Sequence, residues 1–140
     1  MLALAAFGTY QGGMKILFLG DVMGRAGRAA VADTLPGLRK DWGLDFVVVN
    51  GENASGGMGL SAAHATGLFE AGADCVTLGD HAFDQKDMLQ AVERETRLIR
   101  PLNYAKAAPG ARGTACSATR GGAKVLVAQV LGEWCSCGGP

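Results

Sequence analysis

Three short apolar runs constrain the fold more than any other feature of this chain. Lys15–Leu19, Asp45–Val49 and Asp74–Leu78 each lead into a glycine or an Asn-Gly pair, and an acidic residue follows at once. Their leucine, phenylalanine and valine content marks them as strands, and the unbroken apolar character as strands buried on both faces. Helical patterns lie between them. Val31, Leu35, Leu38 and Trp42 fall on one helix face that stops at Gly43, with Pro36 expected to bend or divide the helix. Ser61 can cap a second helix carrying Ala65, Leu68 and Phe69 inward and ending at Gly72. A third is expected to begin at Asp84 as its cap, with Met88, Leu89 and Val92 inward. Strand and helix alternate at intervals of about 30 residues, the length of one βαβ unit. An α/β fold follows, with a parallel sheet and right-handed crossovers.

After Arg97 the rhythm breaks. Arg100–Tyr104 reads as extended or irregular, and 107–113 as a Pro/Gly loop. Thr114–Thr119 and Lys124–Leu131 then form a hairpin through Arg120-Gly121-Gly122-Ala123. The second of these strands is too apolar to stay uncovered. The opening 1–13 lacks the basic lead and cleavage site of a signal peptide and is expected to be a flexible extension.

With 13 basic against 13 acidic residues, the chain lacks the positive excess that neutralising many phosphates needs, so no stable nucleic-acid complex is expected. No apolar run reaches the roughly 18 residues of a membrane span, so no membrane partner is expected either. Cys75, Cys116, Cys135 and Cys137 make neither a disulfide framework nor a four-ligand zinc set, which fits a reducing, cytoplasmic setting.

The strand ends carry the chemistry. Asp21 follows Gly20, Glu52 and Asn53 follow Gly51, and Asp80 and His81 follow Gly79, in step with the βαβ repeat. Ligands of open α/β sheets bind beyond the carboxyl ends of the strands, so these groups are expected at one rim. Three carboxylates there repel one another unless one or two cations sit between them. An oxygen and nitrogen donor set of this kind suits manganese, iron or zinc. The glycines let the chain turn sharply where a side chain would crowd such a site.

At these residues the sequence resembles the YmdB-type branch of the calcineurin-like metallophosphoesterases. The resemblance lies in Ile16–Arg25, in the Asn50-Gly51-Glu52-Asn53-Ala54 block with Ser55-Gly56-Gly57, in Leu68–Asp74, in Thr77–His81, in Leu98–Tyr104 and in Pro109-Gly110. It implies the N-terminal half of a metallophosphoesterase-type α/β sandwich, parallel βαβαβα followed by a β-hairpin. It also implies a two-metal phosphodiesterase acting on 2′,3′-cyclic or 3′,5′-cyclic AMP through an activated hydroxide. By position, Asp21 and Asn53 would bind one metal, Glu52 would bridge both, Asp80 would bind the second, and His81 would be the proton donor. Arg25 and Arg28, at the start of the first helix, are candidates for a substrate phosphate. Asp80 stands where many members have asparagine. The family's remaining ligands are histidines from a second half of the fold, whereas the other histidine here, His64, belongs to the second helix pattern and is expected to be structural.

The partial metallophosphoesterase domain is placed at 14–132. The segment 133–140 departs from the family pattern, and a frameshift near Gly132 is the expectation, together with weak metal binding and little turnover by this chain alone. Two other readings compete. A Rossmann-type nucleotide module would use Gly20, Gly24 and Gly27, but the spacing is not Gly-x-Gly-x-x-Gly and Asp21 would repel a pyrophosphate. A non-catalytic scaffold fragment would keep the fold without the metals. The sequence leaves a homo-oligomer open.

Overall fold

Aspartates fix where two of the strands begin. Asp45 accepts the Lys15 backbone N–H through Oδ2 at 2.8 Å, and Asp74 accepts that of Val47 in the same way at 2.8 Å. Each carboxylate thus ties the start of its own strand to the neighbouring one. The computed structural model describes residues 3–5, 13–110, 114–118 and 122–132. The 133–140 tail with Cys135 and Cys137, the Cys116 side chain and the first half of the hairpin turn lie outside the described residues.

The main sheet has the order β1-β2-β3-β4-β5, formed by β1 (Ala3–Ala5), β2 (Ile16–Gly20), β3 (Phe46–Asn50), β4 (Cys75–Thr77) and β5 (Leu98–Ile99). Strands β2 to β5 are parallel. They are linked in turn by α1 (Gly24–Asp41), α2 (Ala62–Glu70) and α3 (Met88–Arg94). Because consecutive strands are also neighbours, crossovers of one hand bring all three helices to the same face. Leu17, Leu19, Val47, Val49 and Val76 pack there against Val31 and Leu35 of α1, Ala65 and Leu68 of α2, and Met88 and Val92 of α3. The alternate residues Phe46, Val48, Cys75 and Ile99 form a second cluster on the opposite face, met by Val125. Val125 belongs to the antiparallel hairpin of β6 (Thr114–Ala118) and β7 (Lys124–Ala128).

The structure corrects several expectations. β2 is not buried on both faces: Leu17 and Leu19 are buried, while Phe18 is 37% exposed, because the hairpin reaches only part of that face. A cavity of about 460 Å³ remains between sheet and hairpin. β7 turns Val125 inward but leaves Leu126 71% exposed, and it ends at Ala128 rather than Leu131. A fourth parallel strand, β5, occupies the segment read as the start of the irregular region. Pro36 neither divides nor ends α1, since it lies on the exposed side, where the backbone bond it forfeits faces water. α3 starts at Met88 with Asp87 in the cap position, not at Asp84, and Leu89 is 44% exposed. Within the expected extension, Ala3–Ala5 pairs antiparallel with β2, filling hydrogen bonds that an edge strand otherwise leaves open. The α2 reading holds, with Ser61 Oγ accepting the His64 backbone N–H at 3.3 Å.

Candidate functional site

Beyond their last paired residues the parallel strands stay stitched together. Val22 N–H donates to Asn50 O at 3.0 Å, Gly51 N–H to Thr77 O at 2.9 Å, and Leu78 N–H to Ile99 O at 3.0 Å. These bonds bring the three Gly-acid turns to one rim and fix their backbones there. Asp21 takes a left-handed conformation, φ 45°, which aspartate tolerates better than most residues and which marks a locally strained turn. Asn53 Nδ2 donates to Asp21 Oδ1 at 2.7 Å, joining the first two strand ends. Asn50 Nδ2 donates to Glu52 Oε2 at 3.2 Å, whereas its own Oδ1 is buried without a partner among the described residues.

Glu52 is the electrostatic centre of the rim. Burial pushes its carboxyl above the ordinary carboxylate range, the Asn50 hydrogen bond opposes that, and the negative charges of Asp80 and Asp21 push it further up. His81 supplies the weakest, opposing influence. Among the described residues, no three His, Cys, Asp or Glu side chains stand close enough as placed to hold one cation. The rim is therefore assembled in backbone and charge, not in coordination distances. The donors nonetheless fit a divalent cation: acidic oxygens from three turns at one rim, the Asn50 amide oxygen buried without a partner among the described residues, and a glycine whose missing side chain lets the Glu52 carboxylate lie against it.

His81 stands beside this rim with its Nδ1 at 2.6 Å from Asp84 Oδ2. That hydrogen bond raises the imidazole pKa, burial lowers it, and Asp80, Asp84 and Glu52 add to the rise. Asp84 is thus the partner of His81 and not a helix cap. The three-residue spacing is a signal for it, but Asp84 also fits the cap of a capping box. Sequence reasoning also missed Tyr104, whose hydroxyl donates to Asp80 O at 2.7 Å, and Gln129, whose Oε1 accepts Gly79 N–H at 3.0 Å. Neither has a local signal, since both act from distant segments. Of the two arginine candidates, Arg25 is exposed and Arg28 donates to Ala54 O on the Glu52–Asn53 loop. His64 has its Nδ1 at 2.8 Å from Ser55 Oγ.

Residues 17–137 match the family described as YmdB-like protein. The chain belongs to that family. A relative from Bacillus subtilis (strain 168), named 2′,3′-cyclic-nucleotide 2′-phosphodiesterase, is 38% identical over 97 residues, which is 69% of this chain and 37% of that protein. Two solved structures share the fold. A hypothetical protein from Thermus thermophilus superposes with a TM-score of 0.80 at 40% identity, covering 89% of this chain and 47% of its own. A novel phosphatase from Mycoplasma pneumoniae gives 0.76 at 34% identity, covering 95% and 45%. The chain thus spans little more than a third of that curated relative and just under half of each solved chain. The α/β class and the parallel βαβ arrangement expected from the resemblance are those observed. Among the described residues, no helix is long and apolar enough to cross a membrane.

Proposed function

We propose that this chain supplies the strand-end ligands of a metal-dependent phosphodiesterase that acts on a cyclic nucleotide in the cytoplasm. One observation carries the reading: hydrogen bonds between successive strand ends bring the Asp21, Glu52 and Asp80 turns to one rim, where Asn53 Nδ2 reaches Asp21 Oδ1 at 2.7 Å. Carboxylates gathered at one rim in this way suit a bound cation. Asp21 and Asn53 would hold one metal, Glu52 both, and Asp80 the second. Manganese, iron and zinc all suit this donor set. When bound, two such ions neutralise the phosphate and activate the attacking water.

The chain's own residues account for the other requirements. Asn53 orients Asp21 through their 2.7 Å hydrogen bond, and Asn50 restrains Glu52. Asp84 keeps the proton on His81 Nδ1, which leaves Nε2 to hold a second proton and deliver it to the departing ester oxygen. Arg25, exposed at the start of α1, would be the one of the two arginines to meet a phosphate, whereas Arg28 has a loop carbonyl as its partner. The name of the B. subtilis relative favours the 2′,3′-cyclic substrate over the 3′,5′ isomer. The dinucleotide reading is weaker, because the Gly24 N–H that would greet a pyrophosphate at the helix start donates instead to Asn53 O at 3.0 Å.

The test is metal content by mass spectrometry, and turnover of 2′,3′-cyclic AMP, for the chain loaded with Mn²⁺, Fe²⁺ or Zn²⁺. Glu52→Gln and Asp21→Asn should each strip bound metal and any turnover. Metal content unaffected by both substitutions would overturn the proposal.

A further inference from the structure

We propose that Gln129 and Tyr104 are positioning residues that aim Asp80 into the rim, so that the segment following β7 is a working part of the site. The inference rests on the metal reading of Asp80 given above. Three observations converge on the Gly79–Asp80 turn. Gly79 lies between two partners: its α-carbon faces Glu52, and its N–H donates to Gln129 Oε1 at 3.0 Å. The carbonyl of Asp80 accepts the Tyr104 hydroxyl at 2.7 Å. The main chain is therefore held one residue before Asp80 and at the Asp80 carbonyl itself, which restrains the direction in which the Asp80 side chain leaves it.

The segments that carry the two gripping residues are tied to each other. Leu102 N–H donates to Gln129 O at 2.7 Å. Asn103 clasps Leu131 from both sides, accepting its N–H and donating to its carbonyl, each at 2.8 Å. The Tyr104 ring meets Phe83 edge-on at 5.6 Å between centroids, which sets the height of its hydroxyl. Asp80 is exposed, so without this clamp its turn would be held by the sheet from one end alone. Groups that orient a metal ligand from behind commonly change metal affinity by about tenfold or more when lost.

The experiment uses the full chain, labelled with nitrogen-15, and reads Gly79 amide exchange and Mn²⁺ affinity by calorimetry. Gln129→Met removes the acceptor at similar size and should speed Gly79 exchange, and Gln129→Glu, which keeps an acceptor oxygen, should restore its protection. Gln129→Met and Tyr104→Phe should each weaken Mn²⁺ binding by about tenfold, Gln129→Met with a lowered thermal midpoint because the Gly79 N–H loses its acceptor, and Tyr104→Phe with the midpoint nearly unmoved. Tyr104→Phe keeps the ring on Phe83, so it serves where Gln129→Met folds poorly. Unchanged Gly79 exchange in Gln129→Met, or Mn²⁺ affinity within about twofold in both variants, overturns the inference. If the unaltered chain takes up no Mn²⁺, the metal reading falls and this role with it, while Gly79 exchange separately reports whether the contact exists.

Discussion

Gly79 faces Glu52 so closely that a β-carbon on it would stand 1.5 Å from Glu52 Oε2. The glycine is therefore required twice over, since its φ of 61° is also one that side chains resist. Gly79→Ala must displace either the Glu52 carboxylate or the turn carrying Asp80. The expected result is a loss of roughly 1–3 kcal/mol of stability from the backbone strain, with metal uptake falling well beyond what that loss explains. Gly56→Ala is the control, because its φ is 75° but nothing stands within 4 Å of the added carbon. Urea titrations and Mn²⁺ uptake of the two variants separate strain from collision. Equal metal uptake by both would mean that the Glu52 contact is without consequence.

At the opposite end of the sheet, Asp74 holds two elements at once. Its carboxylate accepts Val47 N–H at 2.8 Å and pairs with Arg39 of α1 at 2.7 Å. Asp74→Ala leaves a strand N–H without its partner and should cost about 2 kcal/mol. Asp74→Asn keeps an acceptor but loses the charge, and should cost about 1 kcal/mol or less because the pair is partly exposed. Both variants should bind Mn²⁺ as the parent does, since the rim lies at the other ends of the strands. Chemical denaturation gives the ranking, and an Asn variant as unstable as the Ala variant would contradict it.

The contrast between these two ends shows what the sequence makes legible. Apolar runs closed by glycine announce parallel strands, and the acid after each glycine announces a rim, because both are local patterns of a few residues. β5 has only Leu98 and Ile99 and sits against Arg100-Pro101, too short to show a period. Pro36 misleads in the other direction, since its effect depends on which side of α1 faces water. Asp84 fits a cap and a histidine partner equally well on spacing, and only the fold places it at His81 Nδ1. Gln129 is the extreme case: it lies 50 residues from Gly79, and no local pattern connects them. Strand positions are thus readable from short-range chemistry, while the contacts that aim the side chains depend on how the chain returns.

Asn103 acts as a one-residue strand partner for the chain leaving β7. Its side chain makes both hydrogen bonds with Leu131 that a neighbouring strand would make. Asn103→Ala should release that segment with a loss of about 1 kcal/mol, and faster exchange of the Leu131 amide is the direct readout. Asn103→Asp keeps the acceptor for Leu131 N–H but sets a carboxylate against the Leu131 carbonyl, so it should not rescue the parent behaviour. Leu131 exchange that stays as slow in the Ala variant as in the parent would show that other contacts hold the segment.

His64 gives the fold a pH dependence of definite sign. Its Nδ1 faces Ser55 Oγ at 2.8 Å, and that hydroxyl oxygen also accepts Ser61 N–H. Burial and the nearby Arg28 charge lower the imidazole pKa below the ordinary 6.5, with Asp87 opposing them. Above 6.5 the ring is neutral in folded and unfolded chains alike and adds no pH dependence. Below 6.5 the unfolded chain takes up the proton first, so stability declines until the pH has also passed the lowered folded value. His64→Gln removes that step. The stability of the parent relative to His64→Gln, from urea midpoints, should therefore be greater at pH 7.5 than at pH 5 under otherwise equal conditions. A difference that stays constant across this range would mean that the ring titrates alike in both states and that the Ser55 contact does not depend on a neutral imidazole.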